Sequence, residues 1–61
     1  SDVYGRKIGL FTVDGLLENT KVKTINGQPV TNLQTAEDGT LKCFMEYGKN
    51  IITLEDGSVY T

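Results

Sequence analysis

An all-β fold is predicted by the spacing of the turn signals and by the alternation of apolar residues between them. Asn-Gly and Asp-Gly dipeptides tolerate the positive φ angles of tight hairpin turns. The chain has them at Asp14-Gly15, Asn26-Gly27, Asp38-Gly39 and Asp56-Gly57. Short strands at intervals of roughly 8–12 residues are typical of a meander, a small barrel or a sandwich. We therefore expect a small antiparallel meander of about five or six strands, curled into an SH3-like or open barrel.

The segment 40–47 shows the clearest strand pattern. Its alternation predicts one inward and one outward face. The inward face would carry Leu41, Cys43, Met45 and Tyr47, and the outward face Lys42, Phe44 and Glu46. Gly48-Lys49 fits a two-residue type II′ turn, because glycine occupies the first central position. That turn would place Cys43 opposite Leu54 on the next strand.

A second two-residue turn at Asp56-Gly57 would continue this register into the last strand. It pairs Leu54 with Val59 and Thr53 with Tyr60. The three strands would then carry an inward row and, on the opposite face, an outward row. These rows are Cys43, Leu54 and Val59 inside, and Phe44, Thr53 and Tyr60 outside.

In the N-terminal half, a type I′ hairpin at Asn26-Gly27 is the strongest prediction. It pairs Lys23 with Val30, Val22 with Thr31 and Thr20 with Leu33. Pro29 cannot donate to a ladder, so it is expected at a sheet edge or a bulge.

The segment 14–19 is better interpreted as a loop than as a tight turn. The loop would pair the first strand with the second, Phe11 with Val22 and Val13 with Thr20. Leu16 and Leu17 would lie at its tip, where they cap the core or contact a partner.

The length and the cysteine count limit how the fold can be stabilised. The 61 residues form a single small β domain, 1–61, and a domain of this size buries only about 60% of its unfolded surface. One cysteine excludes an intrachain disulfide, and the absence of histidine removes the commonest zinc ligand. We expect no cofactor and no metal, and self-association is the remaining way to stabilise the fold.

The charge balance argues against nucleic acid and membrane partners. Six basic and eight acidic residues give a net charge of −2, which provides no long-range attraction to polyanions. No apolar run approaches the roughly 20 residues that span a bilayer. Residues 1–4 have neither a basic nor an apolar signal region. With one unpaired thiol, these features predict a cytoplasmic protein.

Catalytic chemistry is not expected, so the chain is interpreted as a non-enzyme. A reactive cysteine needs an exposed, electropositive setting and usually a histidine base, whereas Cys43 is predicted to face inward. The carboxylate pairs Glu37-Asp38 and Glu55-Asp56 are adjacent in sequence, so in a strand their side chains point to opposite faces.

The predicted outward aromatic residues give the leading functional hypothesis. Phe44, Ile51 and Tyr60 would form an exposed apolar patch, which is typical of an interface. The chain would then be a small protein-interaction module of the inhibitor or adaptor type that binds a protein partner. Small phage-encoded accessory proteins resemble it in length and in their lack of catalytic groups.

Two alternatives remain open at this stage. The first is a nucleic-acid-binding small barrel, in which pairing of the first two strands clusters Arg6, Lys7, Lys21 and Lys23. Tyr4, Phe44 and Tyr60 would then stack on bases. The second is a structural subunit of an oligomeric or viral assembly. A flatter sheet could dimerise through one face or through an edge strand such as residues 58–61.

Overall fold

The structure is a computed structural model that describes residues 5–61. Its strands are β1 (Ile8–Val13), β2 (Val22–Ile25), β3 (Gln28–Pro29), β4 (Leu41–Glu46), β5 (Ile52–Leu54) and β6 (Val59–Tyr60). They form two antiparallel sheets, ordered β1-β4 and β3-β2-β5-β6. The predicted all-β fold is confirmed, and it is an open fold rather than a closed barrel. The prediction that residues 1–4 carry no signal region concerns residues outside the described range.

Strand β1 pairs with β4, and the predicted pairing of β1 with β2 is wrong. Phe11 lies opposite Cys43 and Val13 opposite Leu41, rather than opposite Val22 and Thr20. Strands β1 and β4 are each six residues long, whereas β2 has four. Pairing the two longer strands therefore satisfies more backbone donors and acceptors.

The predicted hairpin at Gly48-Lys49 is also wrong, because the chain leaves the β1-β4 sheet here and enters the other sheet at β5. Amide side chains stabilise this crossover in place of a ladder. Asn26 Nδ2 donates to Asn50 Oδ1 at 2.8 Å, and the Ile51 N–H donates to Asn26 Oδ1 at 2.7 Å. Asn50 Nδ2 donates to the Glu46 carbonyl at 2.8 Å.

The type I′ hairpin at Asn26-Gly27 is confirmed near the turn. Both central residues have positive φ, 53° and 78°, and Thr24 lies opposite Pro29. Pro29 occupies an edge strand, as predicted. The Val30 N–H donates to the Lys23 carbonyl at 3.2 Å.

Farther from this turn the predicted register fails. The Val22 N–H donates to the Leu33 carbonyl at 2.9 Å, so the expected pairs Val22–Thr31 and Thr20–Leu33 are wrong. The shift occurs near Asn32, whose φ is 57°. A residue in this left-handed conformation interrupts the regular alternation of a strand.

The turn at Asp56-Gly57 forms, but its loop is one residue longer than predicted. The Leu54 N–H donates to the Ser58 carbonyl at 2.9 Å, and Gly57 adopts a φ of 92°. This is a three-residue hairpin loop with glycine in the left-handed position. Because a slip of one residue exchanges the two faces, Tyr60 lies opposite Ile52, and Val59 opposite Thr53.

The core lies between the two sheets. Its buried apolar residues are Leu16, Val22, Leu41, Met45, Ile52 and Leu54. Cys43 packs against them, as predicted, and so does Tyr60. Leu16 caps the core from the loop 14–19, which is one of the two roles predicted for the tip of this loop. Leu17 stays 40% exposed.

Candidate protein-binding surface

The outward face of the β1-β4 sheet carries a pair of exposed apolar side chains. Leu10 and Phe44 lie directly opposite each other, with 52% and 71% of their surfaces exposed. Side chains at opposed positions of an antiparallel pair have Cβ atoms about 5 Å apart, so they form one patch. We call this patch, together with the half-buried Ile8, the Leu10–Phe44 face.

An open groove of about 260 Å³ adjoins Phe44. Its apolar lining comes from both sheets. The residues are Ile8, Ile25, Val30, Phe44 and Met45. The groove runs between β4 and the β2-β3 hairpin, so the Leu10–Phe44 face continues into a concavity that could receive an apolar side chain.

Polar and charged groups border the groove. Arg6 forms an ion pair with Glu46 at 3.6 Å, and Asn26 Nδ2 donates to Glu46 Oε2 at 3.4 Å. The ion-paired side chains are well exposed, so the pair contributes only about 0–1 kcal/mol to folding. An apolar centre with a polar rim is the usual arrangement of a protein–protein interface.

The structure places the three predicted partner-binding residues in different settings. Phe44 lies at the centre of the Leu10–Phe44 face. Ile51 lies in the crossover and is 49% exposed. Tyr60 packs against the core from the other sheet, and its hydroxyl accepts a hydrogen bond from the Leu17 N–H at 3.2 Å. The outward row of Phe44, Thr53 and Tyr60 therefore does not form.

Leu10 is the residue that the sequence reasoning missed. The expected pairing of β1 with β2 gave no reason to place Leu10 beside Phe44. The signal that could have found it is the alternation within β1, which turns Phe11 and Val13 toward the core and Leu10 away from it.

The pairing of β1 with β2, which was expected to cluster Arg6, Lys7, Lys21 and Lys23, does not form. Lys7 directly precedes β1, whereas Lys23 belongs to β2 in the other sheet. Lys21 makes an isolated bridge with Gln34, and Arg6 pairs with Glu46. Tyr4, the third candidate for base stacking, lies outside the described residues.

Burial or hydrogen bonding shifts the pKa of Cys43, Asp38 and Asp56. Burial raises the pKa of the Cys43 thiol. Hydrogen bonds from the hydroxyls of Thr40 and Ser58 lower the pKa of Asp38 and of Asp56, respectively. Among residues 5–61, no group of three or more Cys, Asp or Glu side chains is placed to hold a metal ion.

Comparison with protein-family models, with curated proteins and with solved structures finds no match to this chain. Nor do residues 5–61 contain a helix with the length and apolar character needed to cross a bilayer.

Proposed function

We propose that this chain is a small, non-enzymatic protein-interaction module of the inhibitor or adaptor type. It binds a cytoplasmic protein partner through the Leu10–Phe44 face. The observation that carries this proposal is the exposure of Phe44, 71%, directly opposite Leu10, 52%. Covering apolar surface is favourable by about 25 cal/mol per Å², so a partner with a complementary apolar patch gains free energy by binding here.

Val59 and Leu17 are poorer candidates for the centre of an interface. Val59 is 57% exposed, but its cross-strand neighbour is Thr53 rather than another apolar residue. Leu17 lies in a loop and is 40% exposed. Single apolar residues on a surface are ordinary. The Leu10–Phe44 face differs from them because two large side chains adjoin each other and a groove.

The surroundings of Cys43 support a non-enzymatic, cytoplasmic role. Its pKa is raised by burial, so the thiol stays protonated near neutral pH and is a poor nucleophile. The thiol is unpaired, and unpaired thiols persist most readily in a reducing compartment.

The test compares capture of proteins from host lysate by the wild-type chain and by matched variants. Phe44→Ser and Leu10→Ser each remove an apolar side chain from the proposed centre. Val59→Ser makes the same kind of change at a similarly exposed position in the other sheet. We expect one protein to be retained by the wild type and by Val59→Ser, and to be lost with the other two variants.

The captured protein is then purified and its affinity is measured by calorimetry. Phe44→Ser should weaken binding by about 10- to 100-fold, as for a central interface residue. Equal weakening by Val59→Ser, or full binding by Phe44→Ser, would contradict the proposal. Urea unfolding of each variant confirms that it is folded, since these side chains are exposed.

A further inference from the structure

The two sheets end in the edge strands β1, β3, β4 and β6, and three of these edges are protected. Strands β3 and β6 are two residues long, and β3 contains Pro29, which cannot donate to an added strand. Strand β4 contains the charged residues Lys42 and Glu46, and at its edge the Glu46 carbonyl already accepts a hydrogen bond from Asn50 Nδ2 at 2.8 Å. The fourth edge, β1, has none of these protective features.

Strand β1 has the composition of an edge that recruits another strand. It spans six residues, IGLFTV, with no charge and no proline. Long, uncharged, apolar edges pair readily with other chains, and proteins normally blunt them with lysine, proline or a bulge. The register of β1 with β4 runs from Ile8 to Val13 without a bulge.

The register also identifies the backbone groups of β1 that point away from β4. The Tyr47 N–H donates to the Lys7 carbonyl at 3.1 Å, which makes this a hydrogen-bonded pair. Hydrogen-bonded pairs alternate along an antiparallel ladder, so Gly9, Phe11 and Val13 bond to β4. The N–H and C=O groups of Ile8, Leu10 and Thr12 face the other way. Within residues 5–61, no backbone group of a loop or of another strand bonds to them.

These outward groups are self-complementary. If two β1 strands pair antiparallel about Leu10, the Leu10 residues of both copies face each other, and Ile8 of each copy faces Thr12 of the other. In these pairs both residues have outward N–H and C=O groups, so each pair exchanges two hydrogen bonds. A slip of one residue would oppose outward groups to groups that already bond to β4.

Charge favours the same register. With Leu10 opposite Leu10, Arg6 of each copy lies opposite Asp14 of the other. Opposite charges at facing positions stabilise strand pairing. The Arg6 side chain also pairs with Glu46, so in the dimer it would lie between carboxylates of both copies.

We infer that a second copy of this chain pairs through β1, which gives a continuous sheet ordered β4-β1-β1-β4. The pairing joins the two Leu10–Phe44 faces into one apolar row across the twofold axis. This inference does not depend on the proposed function, because the dimer forms through backbone groups whether or not another protein binds the row.

The test measures self-association by sedimentation equilibrium over a wide range of protein concentrations. The wild type should dimerise reversibly. Leu10→Lys places like charges opposite each other at the twofold axis and should weaken dimerisation by about tenfold or more. Phe44→Lys is the matched control, since it makes the same type of change at the cross-strand neighbour on the same face. It should change the dimerisation constant by less than about threefold.

Amide hydrogen exchange locates the pairing directly. In the wild type, the N–H groups of Leu10 and Thr12 should gain protection as the protein concentration rises. A charge exchange provides a second check. Asp14→Arg alone should weaken the dimer, and Arg6→Asp combined with Asp14→Arg should restore it.

Several results would overturn the inference. One is a chain that stays monomeric at millimolar concentration, even if the Leu10 amide becomes protected on binding another protein. Another is a dimer that Leu10→Lys leaves intact or that Phe44→Lys weakens equally. A wild-type chain that captures a partner but does not dimerise would overturn this inference alone. A dimer without any captured partner would instead count against the proposed function.

Discussion

Gly39 lies against the backbone of Leu16. The Leu16 N–H donates to the Gly39 carbonyl at 3.0 Å, and a β-carbon at position 39 would lie 2.6 Å from the Leu16 carbonyl oxygen. Gly39 also has a φ of 80°, which a residue with a side chain adopts at a cost. This close approach seats the core residue Leu16 against the turn that precedes β4.

We expect Gly39→Ala to destabilise the fold more than an alanine at another positive-φ glycine. The added methyl group must displace the Leu16 backbone as well as adopt the left-handed conformation, so the loss should reach about 2–4 kcal/mol. Gly15→Ala is the control, since Gly15 has a φ of 76° with open space around it, and it should cost about 1 kcal/mol. Urea unfolding gives both values. Equal losses would mean that the contact with Leu16 has no energetic importance.

The buried hydroxyl of Thr35 forms hydrogen bonds with both ends of the loop segment 17–20. Thr35 Oγ1 donates to the Leu17 carbonyl at 2.6 Å and accepts from the Thr20 N–H at 2.9 Å. Thr35→Val keeps the shape but leaves both backbone groups without this partner, so the free energy of unfolding should fall by about 1–3 kcal/mol. Thr31→Val, at an exposed site, should change it by less than about 0.5 kcal/mol. A neutral Thr35→Val would show that water replaces the hydroxyl.

Tyr60 and Phe44 should respond differently to truncation, although both were expected on one exposed row. Tyr60 packs against the core, so Tyr60→Ala should destabilise the fold by about 2–4 kcal/mol. Phe44 is 71% exposed, and Phe44→Ala should change stability by less than about 0.5 kcal/mol. Thermal and urea unfolding distinguish the two. A Tyr60→Ala variant as stable as the wild type would show that the Tyr60 side chain does not contribute to core packing.

The different placement of Tyr60 shows how far turn chemistry predicts this fold. The dipeptides Asn26-Gly27 and Asp56-Gly57 both form hairpin turns, as the sequence indicates. An Asp-Gly pair, however, fits a two-residue loop and a three-residue loop with a bulge equally well. The choice depends on which face of β6 packs on the core, and that is a tertiary property. One extra loop residue was enough to turn Tyr60 inward and Val59 outward.

The pairing of β1 with β4 was beyond local reasoning for a different reason. The alternation in 40–47 predicted the strand and its inward Cys43, but alternation does not say which strand lies alongside. Gly48 suggested a hairpin, and its φ of 88° is that of a turn glycine. Instead, the side-chain amide of Asn26 bonds to Asn50 and to the Ile51 N–H in the crossover. Asn26 lies far from both residues in sequence. The position of Leu10 beside Phe44 followed from that long-range pairing alone.

Acid should destabilise the fold through Asp38 and Asp56. The pKa of each carboxyl is lowered from 3.8 by hydrogen bonds from the residue two positions on, Thr40 and Ser58. A lowered folded-state pKa gives stability that is present above about pH 3.8 and lost as the pH falls through the folded-state value. Urea midpoints measured from about pH 5 down to pH 2 should therefore fall. The double variant Asp38→Asn with Asp56→Asn should show a shallower fall, and an unchanged slope would contradict this account.

Alkaline conditions should act in the same direction through Cys43. Burial raises the pKa of this thiol above its ordinary value of 9.0, so the unfolded chain releases its thiol proton at a lower pH than the folded chain. The stability contributed by the buried thiol is therefore complete below about pH 9 and declines as the pH rises toward the folded-state value. Cys43→Val keeps the size and removes the titration, so it isolates this contribution. The difference in unfolding free energy between the wild type and Cys43→Val should shift against the wild type from about pH 8 to pH 10. A difference that stays constant over this range would show that the thiol is accessible to water in the folded protein.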